Sequence, residues 1–188
     1  MPARVELPCG LRLRRWTPAD RDTVREVFAE PLMEWQADQP VNDAASAAGW
    51  LTRRILQWES DTAYSYAVTD AQDEVLGCVA VSAIDRRHDC GWVSYWTRGQ
   101  ARGRAVASRA CAALSELAFT EAALYRLELG HRVDNPASCR VALRAGYAVE
   151  GLQRRKLRYG EARYDVETHA RLATDPVPAP GRSGVRSS

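Results

Sequence analysis

The chain has 188 residues, 46% of them hydrophobic, and a formal net charge of +2. That length and apolar content suit one compact domain with a substantial core, and so small a charge demands neither a nucleic-acid nor a membrane partner. The five cysteines, Cys9, Cys78, Cys90, Cys111 and Cys139, are odd in number and lack C-x-x-C spacing, so neither a disulfide framework nor a zinc motif is suggested. No N-terminal signal pattern and no apolar run of membrane-spanning length is visible, and a soluble protein of the reducing cytoplasm is expected.

In chain order, Leu11 and Leu13 alternate with arginines in a first strand. Thr17 then suits an N-cap and Pro18 the first helical position of a helix. Residues 31–40 read as a loop, after which Asn42 or Asp43 caps a second helix burying Ala47, Trp50, Leu51, Ile55 and Trp58. Residues 62–97 read as three antiparallel strands with turns at 70–73 and 85–89. A third helix follows, in which Val106, Ala110, Ala113, Leu114 and Leu117 recur at helical spacing. A strand over 125–133, a helix over 136–145 and strands near 147–153 and 162–172 complete the order. Residues 1–173 are read as one domain, and residues 174–188, rich in Pro, Gly, Ser and Arg, as a disordered tail.

The most informative stretch is Gln100-Ala101-Arg102-Gly103-Arg104-Ala105, between the aromatic strand ending at Thr97 and the third helix. N–H groups opening a helix have no partner within it, and with the helix dipole they favour a phosphate; Gly103 and Ala105 let a ligand approach the main chain. The stretch lacks the Gly-Lys-Ser/Thr ending of a nucleotide-hydrolysing loop and the three glycines of a dinucleotide fingerprint. It matches Q-x-x-G-x-A and is followed in order by Asp134-Asn135-Pro136-Ala137-Ser138 and Ala145-Gly146-Tyr147. In these features the chain resembles the GCN5-related N-acetyltransferase (GNAT) superfamily, and closely its branch that acetylates ribosomal-protein N-termini, the RimJ/RimL-like proteins.

The resemblance implies an α/β fold with a mixed, mostly antiparallel twisted sheet of six to seven strands and about four helices. It also implies a splayed V between the fourth and fifth strands that holds the pantetheine arm of acetyl-CoA, the acetyl donor. Tyr95, Trp96 and Thr97 would supply backbone hydrogen bonds to that arm. The pyrophosphate would rest on the N–H groups around Arg102, Gly103, Arg104 and Ala105, within the Gln100 motif, with charge from Arg98, Arg102 or Arg104. Asn135 caps the next helix and would also contact the cofactor. Ser138 is the candidate general acid for the departing thiolate. Other branches place a tyrosine one turn later, where this chain has Ala142. Cys139 is read as structural, because no Cys-His pair is readable beside it.

A general base is harder to assign, because the branch's strand glutamate is replaced here by Trp92. Glu34 and Asp89 are the weaker candidates, and Trp35, Trp92 and Tyr159 are candidate substrate contacts. An α-amine with a pKa near 8 is roughly 10% neutral at pH 7, while a lysine is below about 0.1%, a difference of about 3 kcal/mol that favours low-pKa amines at a site without a strong base. His88, His131 and His169 show no metal-ligand spacing, and no metal is implied. The acceptor implied by the branch is a protein N-terminal amine. A polyamine, an aminoglycoside or a related antibiotic competes, and a non-catalytic acyl-CoA sensor or an RNA-binding protein using the basic run 154–158 are readings of other classes. A homodimer rests on family analogy alone.

Overall fold

The computed structural model describes residues 1–33, 36, 37 and 39–178. The element order is β1 (Arg4–Glu6), β2 (Arg12–Arg15), α1 (Arg21–Phe28), α2 (Ala44–Glu59), β3 (Tyr64–Thr69), β4 (Val75–Asp85), β5 (Cys90–Thr97), α3 (Val106–Thr120), β6 (Arg126–Arg132), α4 (Pro136–Arg144), β7 (Ala148–Tyr159) and β8 (Ala162–Leu172). All eight strands form one sheet in the order β1-β2-β3-β4-β5-β6-β8-β7. The expected count of six to seven strands is corrected to eight. Residues 4–6 fold back through the turn at Pro8–Gly10 and pair with β2, Val5 opposite Leu13. That strand is three residues long, too short for an alternating pattern to show in the sequence. The expected fourth and fifth strands are therefore β5 and β6.

Every pairing is antiparallel except β5 with β6, and this exception shapes the site. The parallel ladder joins only Cys90 to Arg126, Gly91 to Leu127 and Trp92 to Glu128. Beyond Trp92, β5 stays with β4 as far as Thr97 opposite Gly77, and β6 stays with β8 as far as Arg132 opposite Val166. The two strands part because each follows a different neighbour, and the facing edges of residues 93–97 and 129–132 are left open, as the splayed V required. At its vertex the Trp92 ring lies over Gly130, where a Cβ would stand 3.1 Å from the ring and 2.9 Å from Val166.

The two faces of the sheet bury different cores. On one, Val93, Leu127 and Leu129 pack with Ala110, Cys111 and Leu114 of α3 and Ala142 of α4. On the other, Val24 and Val27 of α1 and Trp50 and Leu51 of α2 close over Trp16 and Trp96. Trp16 meets Trp50 edge to face at 5.1 Å, and Phe28 lies 6.0 Å from Trp96. Ile55 and Trp58 are half-buried, and Trp58 packs on the first core instead, meeting Tyr64 and Tyr66 edge to face at 5.3 and 4.8 Å. The turn into α1 is closed by Asp20, which accepts the Thr17 N–H at 2.8 Å and pairs through both oxygens with Arg14 at 2.8 and 2.9 Å.

Candidate functional site

The loop between β5 and α3 is held in an unusual backbone shape. Gly103 has φ +76°, and Ala105, at the start of α3, has φ +59°. Both lie in the left-handed region, which glycine enters freely but where the Cβ of Ala105 clashes with the following carbonyl at about 1–2 kcal/mol, so Gly103 suits its position and Ala105 is strained. No side chain caps α3, and the first N–H to find a helical acceptor is that of Arg109, on the Ala105 carbonyl at 3.1 Å. The N–H groups ahead of it point out of the helix start, with open space around Gly103.

Carboxylates that sequence reasoning did not single out brace this loop. Glu30, after α1, accepts the Gly99 N–H at 3.0 Å and pairs with Arg102 at 3.4 Å. Glu74 accepts from the Gln100 amide at 2.7 Å. Arg98 is turned toward Glu26 at 3.6 Å and Glu74 at 4.0 Å and is largely buried. Arg98 and Arg102, two of the three arginines expected to add charge to a phosphate, and the Gln100 side chain of the motif are thus engaged in holding the loop. Arg104 is exposed and, among the described residues, has no hydrogen-bond or ion-pair partner. The main chain of the helix start and the Arg104 side chain are the parts of this loop that no carboxylate engages among the described residues.

Alternation along β5 divides its aromatics. Tyr95 faces the α3 and α4 layer, and its hydroxyl donates to the Ser138 carbonyl at 3.1 Å, bridging the open V. Burial raises the Tyr95 pKa above that of an ordinary phenol, so it acts there as a donor. Trp96 points the other way, with its ring locked in the α1 and α2 layer, and offers the V only its backbone. Thr97 ends the strand, half-buried.

Asn135 caps α4 through its side-chain oxygen, which accepts the Ser138 N–H at 3.1 Å, and Pro136 takes the first helical position. The cap places Ser138 in the first turn, half-buried, and its hydroxyl makes no hydrogen bond among the described residues. The local alternative, a serine tied back to its own helix, is not what the structure shows. Glu34 and Trp35 lie outside the described residues. Asp89 is in the turn before β5, at the opposite end of that strand from Thr97, roughly 26 Å away, and its main-chain carbonyl accepts from the Tyr125 and Arg126 N–H groups.

On the sheet face opposite Ser138, a cavity of about 230 Å³ is lined by Trp92, Arg126, Glu128, Glu150, Gln153, Lys156, Thr168 and His169. Trp92, replacing the expected glutamate, is a wall of this cavity, with the Lys156 ammonium 5.9 Å from its ring centre. Tyr159 is not in the wall; it stacks on Tyr164 at 5.4 Å, with the Arg132 guanidinium 3.5 Å over the Tyr164 ring. The basic run of β7 lies on the outermost strand, its arginines exposed.

Sequence reasoning also passed over a cluster behind Ser138. His131 on β6 faces Glu167 and His169 on β8 and Cys139 on α4, and one ligand atom of each lies within 4.8 Å of the others. Burial, with the Glu167 carboxylate beside it, raises the Cys139 thiol above its ordinary pKa. The only signal in the sequence was Glu167-x-His169, two residues apart and so on one face of a strand.

A family model described as an acetyltransferase (GNAT) domain matches residues 10–148. The chain is 31% identical over 101 residues to the ribosomal-protein-serine acetyltransferase of Escherichia coli K12, a match covering 54% of this chain and spanning little more than half, 56%, of that relative. Among solved structures it is similar to RimL, a ribosomal L7/L12 alpha-N-protein acetyltransferase in complex with coenzyme A, with a TM-score of 0.83 at 21% identity over 90% of this chain and 97% of that one. It is also similar to a chimera of the Vibrio cholerae spermidine N-acetyltransferase SpeG, with a TM-score of 0.75 at 19% identity over 87% and 95%. The splayed parallel strands, the uncapped helix that connects them and the extent of the family match place this chain in the GNAT acetyltransferase domain family.

Proposed function

We propose that this chain is an acetyl-CoA-dependent N-acetyltransferase that transfers acetyl directly to a primary amine, a protein or peptide N-terminal α-amine first. The observation that carries the reading is the open start of α3, with Gly103 and Ala105 left-handed, beside a V whose far wall presents a free Ser138 hydroxyl. The pyrophosphate sits on the N–H groups from Gly103 onward, with Arg104 adding charge. The pantetheine arm continues the sheet along the open edge of residues 95–97, and the thioester reaches Ser138.

The neutral amine attacks the thioester carbon and the C–S bond breaks. Ser138 gives its proton to the departing thiolate and recovers one, through water, from the amine nitrogen as it becomes an amide. The products are the acetylated amine and free CoA thiol. Holding both reactants in one cleft makes the attack effectively intramolecular, so the site does not need a strong base when the amine has a low pKa.

The relation to a ribosomal-protein-serine acetyltransferase supports the N-terminal acceptor. The fold likeness to a spermidine acetyltransferase makes a polyamine the second reading. Free-thiol release from acetyl-CoA, measured against N-terminal peptides, polyamines and aminoglycosides with mass spectrometry of each product, decides between them. Acetylated peptide α-amines are the expected result. Release with spermidine alone moves the acceptor class, and tight acetyl-CoA binding without release for any amine overturns the enzyme reading in favour of a sensor.

A further inference from the structure

We propose that His131, Cys139, Glu167 and His169 form a site for one divalent cation of the zinc class. The four residues come from β6, α4 and β8, and the sheet fixes their juxtaposition. His131 and Glu167 are cross-strand partners, and Glu167 and His169 lie two apart on the same strand face. Both histidines are buried, with Glu167 and Cys139 closing the side toward α4.

With both rings uncharged the cluster is one hydrogen short, a place that a bound cation fills. His131 Nδ1 lies 2.9 Å from the Arg132 carbonyl, which can only accept, so Nδ1 carries a hydrogen, and in the uncharged ring Nε2 presents a bare lone pair. That lone pair faces the Glu167 carboxylate at 3.3 Å and His169 Nε2 at 3.0 Å. His169 Nε2 is also 3.0 Å from the same carboxylate, so its one hydrogen cannot satisfy both neighbours. Cys139 Sγ donates to Glu167 Oε1 at 3.5 Å. The lone pairs of His131, His169, Glu167 and Cys139 thus converge on one point, where a metal ion can take the place of a shared proton.

The spacings suit a small tetrahedral ion. Metal–nitrogen and metal–oxygen bonds near 2.0–2.2 Å and a metal–sulfur bond near 2.3 Å put neighbouring ligand atoms about 3.3–3.7 Å apart. The contacts of 3.3 and 3.5 Å already lie within that range, and the two of 3.0 Å open to it by a few tenths of an ångström. The Nδ1–H bond of His131 to a backbone carbonyl is the outer-sphere contact that orients a metal-binding imidazole. Two nitrogens, one carboxylate and one thiolate select a late divalent ion over magnesium or calcium, which take oxygen ligands. On binding, the Cys139 thiol loses its proton to solvent as the sulfur–metal bond forms, and thiolate plus carboxylate balance the two positive charges. Because Cys139 directly follows Ser138, the ion pins the first turn of α4 to β6 and β8.

The test needs no acetyl-CoA, so it stands or falls apart from the acetyltransferase reading. The full chain, stripped with a chelator, is titrated with Co2+ and then Zn2+. One equivalent of Co2+ with the intense visible bands of a tetrahedral site and a thiolate-to-cobalt charge-transfer band, both displaced by Zn2+, is expected. Cys139→Ser should lose the charge-transfer band while Cys90→Ser keeps it, and His131→Gln should weaken Zn2+ binding at least about tenfold with the far-UV spectrum unchanged. A cobalt spectrum that is absent, or that persists in Cys139→Ser, overturns the site, as does an unchanged Zn2+ affinity in His131→Gln.

Discussion

The starts of α2 and α3 are built in opposite ways. Asp43 accepts the Ser46 N–H at 2.7 Å, and the Ser46 hydroxyl returns to the Asp43 N–H at 3.0 Å, so the first turn of α2 is closed by its own side chains. α4 is closed in the same manner by Asn135, and the turn into α1 by Asp20. The start of α3 has none of this: a left-handed alanine, a glycine with empty space around it, and N–H groups without a cap. Main-chain donors that side chains satisfy at α2 and α4 are left uncapped at α3, beside an alanine in a costly backbone region, and the proposed pyrophosphate is the acceptor that would satisfy them. The braces of Glu30 and Glu74 hold that opening in shape without filling it.

The contrast can be broken or sharpened by substitution. The largest effect is expected at α4, where Ser138→Ala should reduce kcat by about 100-fold, or about 2.7 kcal/mol, and leave acetyl-CoA affinity within about twofold; steady-state kinetics with calorimetric affinities would read the split. Next is the closed turn at α1. Burial works against the charged Asp20, but the Arg14 pair and the Thr17 contacts outweigh it and hold the carboxyl below its usual pKa. Its stabilisation is therefore complete above the ordinary carboxylate range near pH 4 and is lost as pH falls below it. Asp20→Asn should lower stability at pH 7 by about 2 kcal/mol and flatten the acid limb in denaturant melts run from pH 7 to 3. Asp43→Ala should remove about 1 kcal/mol of stability with no change in acetyl-CoA affinity, as fits a cap that serves only its helix. The smallest change is opposite in sign: Ala105→Gly relieves the left-handed strain and should stabilise the fold by up to about 1 kcal/mol in the same melts.

Much of this was legible in the sequence. The helix starts at Asp43 and Asn135-Pro136 were readable because capping is local chemistry, set by residues within one turn. The element order was readable because periodicity survives in single segments, and Gln100, Gly103 and Ala105 could be read as a cradle because a small residue has few other reasons to open a helix. The partners that brace that cradle were not legible: Glu30 lies 69 positions before Gly99, and no spacing connects them. The same holds for His131, which meets His169 across 38 positions, and for β1, which is strand only because β2 is beside it. The arginines expected on phosphate were read from charge alone, and charge cannot tell a guanidinium that meets a ligand from one that meets Glu26, Glu74 or Glu30.

The central claim is that the uncapped start of α3 holds acetyl-CoA by its main chain. Isothermal titration of acetyl-CoA into the 188-residue chain and into Gly103→Glu tests it most directly, because the variant places a carboxylate and a strained Cβ where the pyrophosphate belongs. The account predicts one-to-one binding by the parent chain and a loss of about 100-fold or more in the variant, with the far-UV spectrum unchanged. A folded Gly103→Glu that binds acetyl-CoA as tightly as the parent, or a parent that does not bind it, would contradict the account.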